Sequence, residues 1–219
     1  MIEKAYTETS IGQCHYRYQS GQGIPIVFLH QTPSSSLMYE KLMSLLPQNT
    51  CIAIDTPGFG MSDDISGNPS IEDYGNCIVE ALESLDVKEF HLIGHHSGAS
   101  IALHLENKYK NLVVSLTLIG AFLATKEEKE LMKNQTGLDW SPKEDGTHLM
   151  NAWKLAGDIL GAGDILGAGE NLHLRQRETL DAIRAEASAK QMHEAVWDFN
   201  EIEALRKAES PCLILCSED

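Results

Sequence analysis

The sequence predicts an α/β protein: a mostly parallel, doubly wound sheet with a helical insertion. Three observations carry this. Continuous apolar runs at "IPIVFLH" (24–30), "CIAIDTPGFG" (51–60), "FHLIG" (90–94) and "LVVSLTLIG" (112–120) read as strands buried on both faces. Helix-like segments separate them, which favours parallel strands joined by crossovers. After Phe122 the strand signals vanish, and charged helical stretches run on until "PCLILC" (211–216). The expected organisation is therefore a first part of the core over 1–121, a helical lid over 122–209, and the start of a returning core over 210–219.

The elements follow in order. "QCHYRYQ" (13–19) alternates like a hairpin strand. Residues 34–46 read as a helix with Met38, Leu42, Leu45 and Leu46 on one face, ended by Pro47. Ser70 and Asp73 form a capping box with Asp in the usual Glu place. Behind it Tyr74, Ile78, Leu82 and Leu85 make a helical stripe. Residues 98–109 are apolar on most sides, as a deeply buried helix is. In the lid, "TKEEKELMKN" and "LRQRETLDAIRAEASAKQMHEAVWDF" read as helices. "GDILGA" at 157–162 repeats once at 163–168, a local duplication too short for a solenoid period. A parallel strand such as "PCLILC" is normally followed by more of the sheet. The chain is therefore expected to be C-terminally truncated and to expose an apolar sheet edge.

Composition narrows the function classes. The chain has 219 residues, 42% hydrophobic and 22% charged, with a net charge of −15. That charge repels phosphates and argues against nucleic-acid or anionic-membrane partners. No apolar run approaches the roughly 20 residues of a membrane span. "MIEKAYTETS" lacks the basic and apolar regions of a signal peptide, so a cytoplasmic location is expected. The cysteines Cys14, Cys51, Cys77, Cys212 and Cys216 read as buried, reduced thiols. No Cys/His/Asp cluster has metal-ligand spacing. "GAGDILGAG" lacks the Gly-Lys-Ser/Thr of a phosphate loop. Neither metal nor cofactor is expected, the oligomeric state is open, and the partner is a small-molecule substrate.

The informative stretch is "HLIGHHSGAS" (91–100), a strand running into a helix through Gly-x-x-x-Gly. In a strand-to-helix elbow, the residues two before and two after the centre must be small. Centring on His96 gives Gly94 and Gly98, which satisfies this. Centring on Ser97 gives His95 and Ala99, and His95 would clash. His96 is the favoured centre, with Ser97 as the shifted alternative. His95 and His96 are adjacent and expected to point apart.

Together these pieces resemble the α/β-hydrolase fold superfamily. "IPIVFLHQTPSSS" resembles its third strand and oxyanion loop, "AIDTPGFGMSD" its fourth strand and following loop, "HLIGHHSGASIALHLENKYKNLVVSLTLIGA" its elbow, helix and sixth strand, and "SPCLILCSED" its seventh strand. A branch with His-Gln-Thr-Pro at the oxyanion loop and Gly-His-His-(Ser/Thr)-Gly at the elbow matches best. The resemblance implies a helical lid between strands six and seven. It also implies an oxyanion hole built from the Thr32 and Ser97 N–H groups, with Gln31 standing where the family has glycine. His30 is then a hydrogen-bonder that shapes the loop, Asp55 fixes its own turn, and His95 packs near the site. The family's acid would fall at position 220, with Asp219 the nearest candidate, and no histidine follows it.

The departures leave the chemistry open. A neutral imidazole at His96 can act as nucleophile or base on a small apolar ester or related carbonyl compound. The same site can be a catalytically silent ligand binder, or a base-catalysed lyase. His148, His173 and His193 lie in the lid, and one of them could face the pocket. His91 and His104 read as core or surface histidines. Trp140, Trp153 and Trp197 read as lid core.

Overall fold

A computed structural model describes residues 1–133, 141–162 and 171–216, with 158–162 as helix backbone. The N-terminal half opens with a hairpin of β1 (Ile2–Thr9) and β2 (Gly12–Gln19), followed by β3 (Gln22–Leu29). A 3-10 turn (Ser36–Tyr39) and the short α1 (Glu40–Ser44) lead to β4 (Asn49–Ile54). Then come α2 (Ile71–Ser84), β5 (Phe90–His95), α3 (Ser97–Lys108) and β6 (Val113–Ile119). The helices α4 (Lys126–Lys133), α5 (Thr147–Ala162), α6 (Leu172–Arg184), α7 (Glu186–Asp198) and α8 (Glu201–Lys207) lie between β6 and β7 (Cys212–Leu215).

The seven strands form one sheet in the order β1-β2-β4-β3-β5-β6-β7. β1, β2 and β4 pair antiparallel, and every pairing from β4 through β3, β5 and β6 to β7 is parallel. The parallel strands are apolar on both sides because helices cover both faces. Val27, Leu29, Ile52 and Ile54 face the larger core with α2 and α3, while Phe28, Cys51 and Ala53 face Tyr39 and Met43. The order reverses at β3, which has β4 on one side and β5 on the other. The loops after β3 and β5 therefore open side by side at the carboxyl edge, where such sheets bind ligands.

Several local features follow the sequence directly. The Ser70–Asp73 capping box is present with both of its hydrogen bonds. Tyr74, Ile78 and Leu82 are buried on α2. His91 bonds Ser115 across the β5–β6 pair at 2.8 Å. β1 is an additional strand not anticipated from the sequence. Two expectations are corrected. The 34–46 segment buries Tyr39 and Met43, and leaves Leu42 and Leu45 exposed. Its first turn is 3-10, with about three residues per turn, so the buried face is out of phase with a regular α-helix. Cys212 and Cys216 are exposed rather than buried, because the outer flank of β7 is uncovered; Leu213, Ile214 and Leu215 are exposed with them.

The long helical pattern from Leu174 to Phe199 falls in two helices, α6 and α7, broken at Ala185, which is the C-cap of one and the N-cap of the next. The first copy of the GDILGA duplication lies at the end of α5, and the second lies outside the described residues, as does Trp140. Among the described residues no helix is long and apolar enough to cross a membrane.

Candidate active site

β5 delivers the chain to the carboxyl edge and α3 carries it away, so His96 must turn a strand into a helix in one step. It does so at φ 48° and ψ −114°, a conformation sparsely populated by any residue with a side chain. Holding it costs on the order of 1–3 kcal/mol. The N–H of His96 donates to the Ile119 carbonyl at 2.9 Å, and its carbonyl accepts from the Ala99 N–H at 2.8 Å. These bonds lock the turn against β6 and start the helix.

The glycines on either side are obligatory for packing. A Cβ on Gly94 would lie 2.3 Å from the Gly98 carbonyl oxygen, and one on Gly98 would lie 2.3 Å from the Leu29 carbonyl oxygen. The two therefore frame His96, and Ser97 is the first residue of α3, one step past the strained position. The His96 ring lies against Gly120, just past β6, where a Cβ would come within 3.2 Å of Nε2.

His95 does not diverge from His96 as expected. The two rings are tilted at 46° with centroids 5.2 Å apart. The tight turn swings His96 back over the strand end and onto its neighbour's side. Burial, then the proximity of His96 and His30, holds the His95 imidazole down at about 4. His96 is exposed, yet desolvation along its inner side also lowers its ionisation from the ordinary histidine value. Burial, and then the nearby His96, lower the ionisation of His193 on α7 from the ordinary histidine value. His148 instead accepts from the Lys143 N–H at 3.1 Å, away from the elbow.

The loop after β3 meets the elbow at Thr32. Its N–H donates to the Ser97 hydroxyl at 2.9 Å, and its own hydroxyl is 2.9 Å from the same oxygen. Gln31 turns its amide toward the Ser34 hydroxyl at 3.4 Å. His30 is buried and spans two backbone groups: Nδ1 bonds the Gln31 carbonyl at 2.9 Å, and Nε2 accepts from the Thr56 N–H at 2.9 Å. That pairing sets the tautomer with the proton on Nδ1. Burial pushes its pKa down, so the ring stays neutral.

Asp55 is an anchor beneath the loop. One carboxylate oxygen accepts from the Ser36 N–H at 2.6 Å; the other bonds His15 Nδ1 at 2.7 Å and accepts from the Met61 N–H at 2.9 Å. Burial opposes its ionisation, but these bonds and the nearby His30 outweigh it and hold the carboxyl at about 2. Asp55 and His30 thus tie three loop segments together from below. Asp219 lies outside the described residues.

Two carboxylates from the helical insertion reach the same loop, and no sequence signal marked them. The Ser34 hydroxyl donates to Glu178, and the Ser35 hydroxyl donates to Asp181 at 2.8 Å. All four residues are buried. Beside them Gln31, Pro33, Leu155, Ala156, Glu178 and Ala182 enclose a cavity of about 10 Å³, too small for a ligand. Among the described residues no group of three or more His, Cys, Asp and Glu side chains could hold a metal ion.

Comparison with known proteins agrees with this geometry. A family model described as the alpha/beta hydrolase fold matches residues 24–158, more than half of the chain. A putative non-heme haloperoxidase of Mycobacterium phage D29 is 26% identical over 103 residues, 46% of this chain and 37% of that protein. A cis-3-alkyl-4-alkyloxetan-2-one decarboxylase of Shewanella oneidensis is 35% identical over 115 residues, 49% of this chain and 36% of that protein. The matches thus span about a third of the length of these relatives. The solved enol-lactonase from Burkholderia xenovorans superposes with a TM-score of 0.75 at 16% identity, covering 96% of this chain and 80% of that one. Seven strands in this order, an elbow between β5 and α3, and a family match across both make the chain a member of the α/β-hydrolase fold family.

Proposed function

We propose that the protein is a hydrolase of a small apolar ester or related carbonyl compound, with His96 as the reacting group. The observation that carries this is the placement of His96 at the strained apex of the elbow, beside the Thr32 N–H and the N-terminus of α3. A lowered ionisation keeps the imidazole neutral near pH 7, which leaves a ring nitrogen with a free lone pair. That nitrogen bonds the carbonyl carbon, and the carbonyl oxygen becomes an oxyanion. The Ser97 N–H, at the first position of α3, has no partner within the helix and is available to it, together with the Thr32 N–H. Collapse expels the alkoxide and leaves an acyl-imidazolium; the proton on its other ring nitrogen passes through water to the alkoxide, giving the alcohol and the neutral acyl-imidazole. A water molecule then cleaves the acyl-imidazole, releasing the acid and restoring the ring.

His96 serves better as a nucleophile than as a strong general base, because desolvation along its inner side lowers its proton affinity. The reading includes a small-molecule substrate, no cofactor, a cytoplasmic location, and a helical lid formed by the segment between β6 and β7. The test is turnover of short-chain p-nitrophenyl esters. His96→Ala is expected to lower kcat/KM by about a hundredfold or more, a loss in the range seen for oxyanion and nucleophile deletions. His96→Ser is expected to give a burst of nitrophenolate as an acyl-enzyme accumulates. Equal turnover by wild type and His96→Ala would overturn the reading. Tight ligand binding without turnover by any variant would make the protein a silent binder.

A further inference from the structure

Two facts about the helical segment invite a role. It is fixed to the core in two chemically different ways. On the α7 side, the Gln191 side-chain amide donates to the Ile65 carbonyl at 3.3 Å and the Gly67 carbonyl at 2.9 Å, and these neutral groups do not titrate. On the α6 side, the bonds to the loop after β3 come from carboxylates, Glu178 on Ser34 and Asp181 on Ser35, and Arg184 at the end of the helix donates to the Gly60 carbonyl at 3.3 Å. These serines directly follow Thr32 and Pro33, so α6 grips the oxyanion loop two and three residues beyond its proposed donor. The break at Ala185 separates the two attachments. α5 packs alongside α6, and Leu155 and Ala156 close the cavity beside Glu178.

We propose that Glu178 and Asp181 are positioning residues that hold the Ser34–Ser35 segment from the lid side, and that they form a proton-operated latch docking the α5–α6 pair over the elbow. The role in catalysis rests on the hydrolase reading; the docking does not. Each serine hydroxyl donates to a carboxylate, and the carboxylates sit one helical turn apart in a buried place. Two ionised carboxylates there repel each other, and one proton between them relieves that repulsion.

The charges around Asp181 fix the direction of the effect. On its own helix are Glu178 and Arg177, which pair with each other, and Arg184, whose guanidinium reaches the Gly60 carbonyl at 3.3 Å. From the core come Asp55, paired with His15, then the neutral His30, and Arg17, which holds Ser36 and Glu40. Burial, with Glu178 and Asp55 adding to it against the Ser35 hydrogen bond and Arg177, pushes Asp181 up to about 6. Its ordinary value is 3.8. Docking therefore takes up a proton. The docked state is fully favoured below the ordinary value and loses its advantage as pH rises through about 6. A shift of about two units corresponds to about a hundredfold change in the docking equilibrium. The lid closes in acid and loosens toward neutrality, where the cavity beside Gln31 can widen to admit a substrate.

The test is hydrogen exchange on the intact chain at about pH 5 and about pH 8, corrected for the intrinsic pH dependence of exchange. Wild type is expected to lose protection in Leu172–Arg184 and in the 31–36 loop by ten- to a hundredfold between the two, while α7 keeps its protection. Asp181→Asn, which stays neutral and can still accept from Ser35, is expected to keep α6 protected at both. Ser35→Ala is expected to lose protection at both. Protection of α6 in wild type that is independent of pH overturns the latch, and so does a loss of protection in Asp181→Asn. Exchange is read without substrate, so it fails or succeeds independently of any ester turnover.

Discussion

The Thr32 N–H donates to the Ser97 hydroxyl at 2.9 Å, so a side-chain oxygen of the elbow occupies the N–H donor of the loop after β3. The Thr32 hydroxyl contacts the same atom. Ser97 is buried to 7% exposure, in a position that suits a standing hydrogen-bond partner. In the hydrolase reading, its hydroxyl must yield the Thr32 N–H when a substrate arrives.

Ser97→Ala is therefore expected to raise kcat/KM toward short esters by about two- to fivefold. The competing bond is worth roughly 1 kcal/mol, and that energy is returned to the transition state when it is removed. Steady-state kinetics on the variant decide the matter. A fall of tenfold or more would make the hydroxyl the reacting group and shift the elbow register in function.

Gly120 sets the position of the His96 ring from the other side. Its φ is +55°, and a Cβ would press within 3.2 Å of Nε2. Gly120→Ala is expected to cost about 1–2 kcal/mol of stability through backbone strain. It should also lower turnover by tenfold or more by displacing the imidazole. Gly23→Ala is the matched control. Gly23 has φ +77° with nothing within 4 Å of an added Cβ, so a similar loss of stability should come with unchanged turnover. Urea unfolding beside ester kinetics separates the two effects. Equal turnover in both variants would remove Gly120 from any role in placing His96.

The elbow register was legible in the sequence because it rests on a steric rule with a period of two residues on each side: Gly94 and Gly98 leave room only for His96 between them. The alternation of strands and helices was legible for the same local reason. What the sequence hid depends on distance or on phase. The 3-10 turn at Ser36–Tyr39 moved the buried face from Leu42 and Leu45 to Tyr39 and Met43. The break at Ala185 carries no glycine or proline to announce it. Glu178 and Asp181 look like ordinary solvent-facing charges on a polar helix, and only the tertiary contact with Ser34 and Ser35 sets them apart. His193 could not be chosen over His148 and His173, because all three lie on amphipathic segments of the same kind. Gly120 was the missed residue with a usable signal, being a lone glycine at the carboxyl end of a strand beside the elbow.

Asp55 contributes a pH dependence of stability on the acid side. Its carboxyl is held at about 2 against an ordinary 3.8, so the folded state binds the proton less tightly than the unfolded chain does. The stabilisation is present above pH 3.8 and is lost as pH falls through about 2. It amounts to about 2 kcal/mol on the linkage relation, as an order of magnitude. Asp55→Asn should lose about that much near neutral pH and show a flatter decline between about pH 4 and pH 2. Urea midpoints measured across that range give the comparison. Parallel curves for the two proteins would count against the anchor role.

Lys129 and Glu201 join α4 to α8 through a buried ion pair of 2.5 Å, and Ser100 of α3 donates to the second Glu201 oxygen at 2.8 Å. Lys129 also donates to the Val196 carbonyl at 3.0 Å and to that of Phe199, so every donor of its ammonium is satisfied. Burial pushes Glu201 up, against the lowering effects of Lys129 and Ser100. Removing one partner strands the other without water. Lys129→Met is expected to cost about 3–5 kcal/mol, as a broken buried pair does, and Glu201→Gln less, because the amide oxygen still accepts from Lys129 while its NH2 group donates to the Ser100 hydroxyl. The double variant Lys129→Met with Glu201→Gln should cost less than the sum of the two, since no charge is left buried alone. Chemical denaturation of all four proteins measures the coupling. Strict additivity would mean that the pair contributes no mutual stabilisation, and that α8 is held to α3 by Ser100, by the bond from the Asn107 amide to the Ala204 carbonyl and by packing.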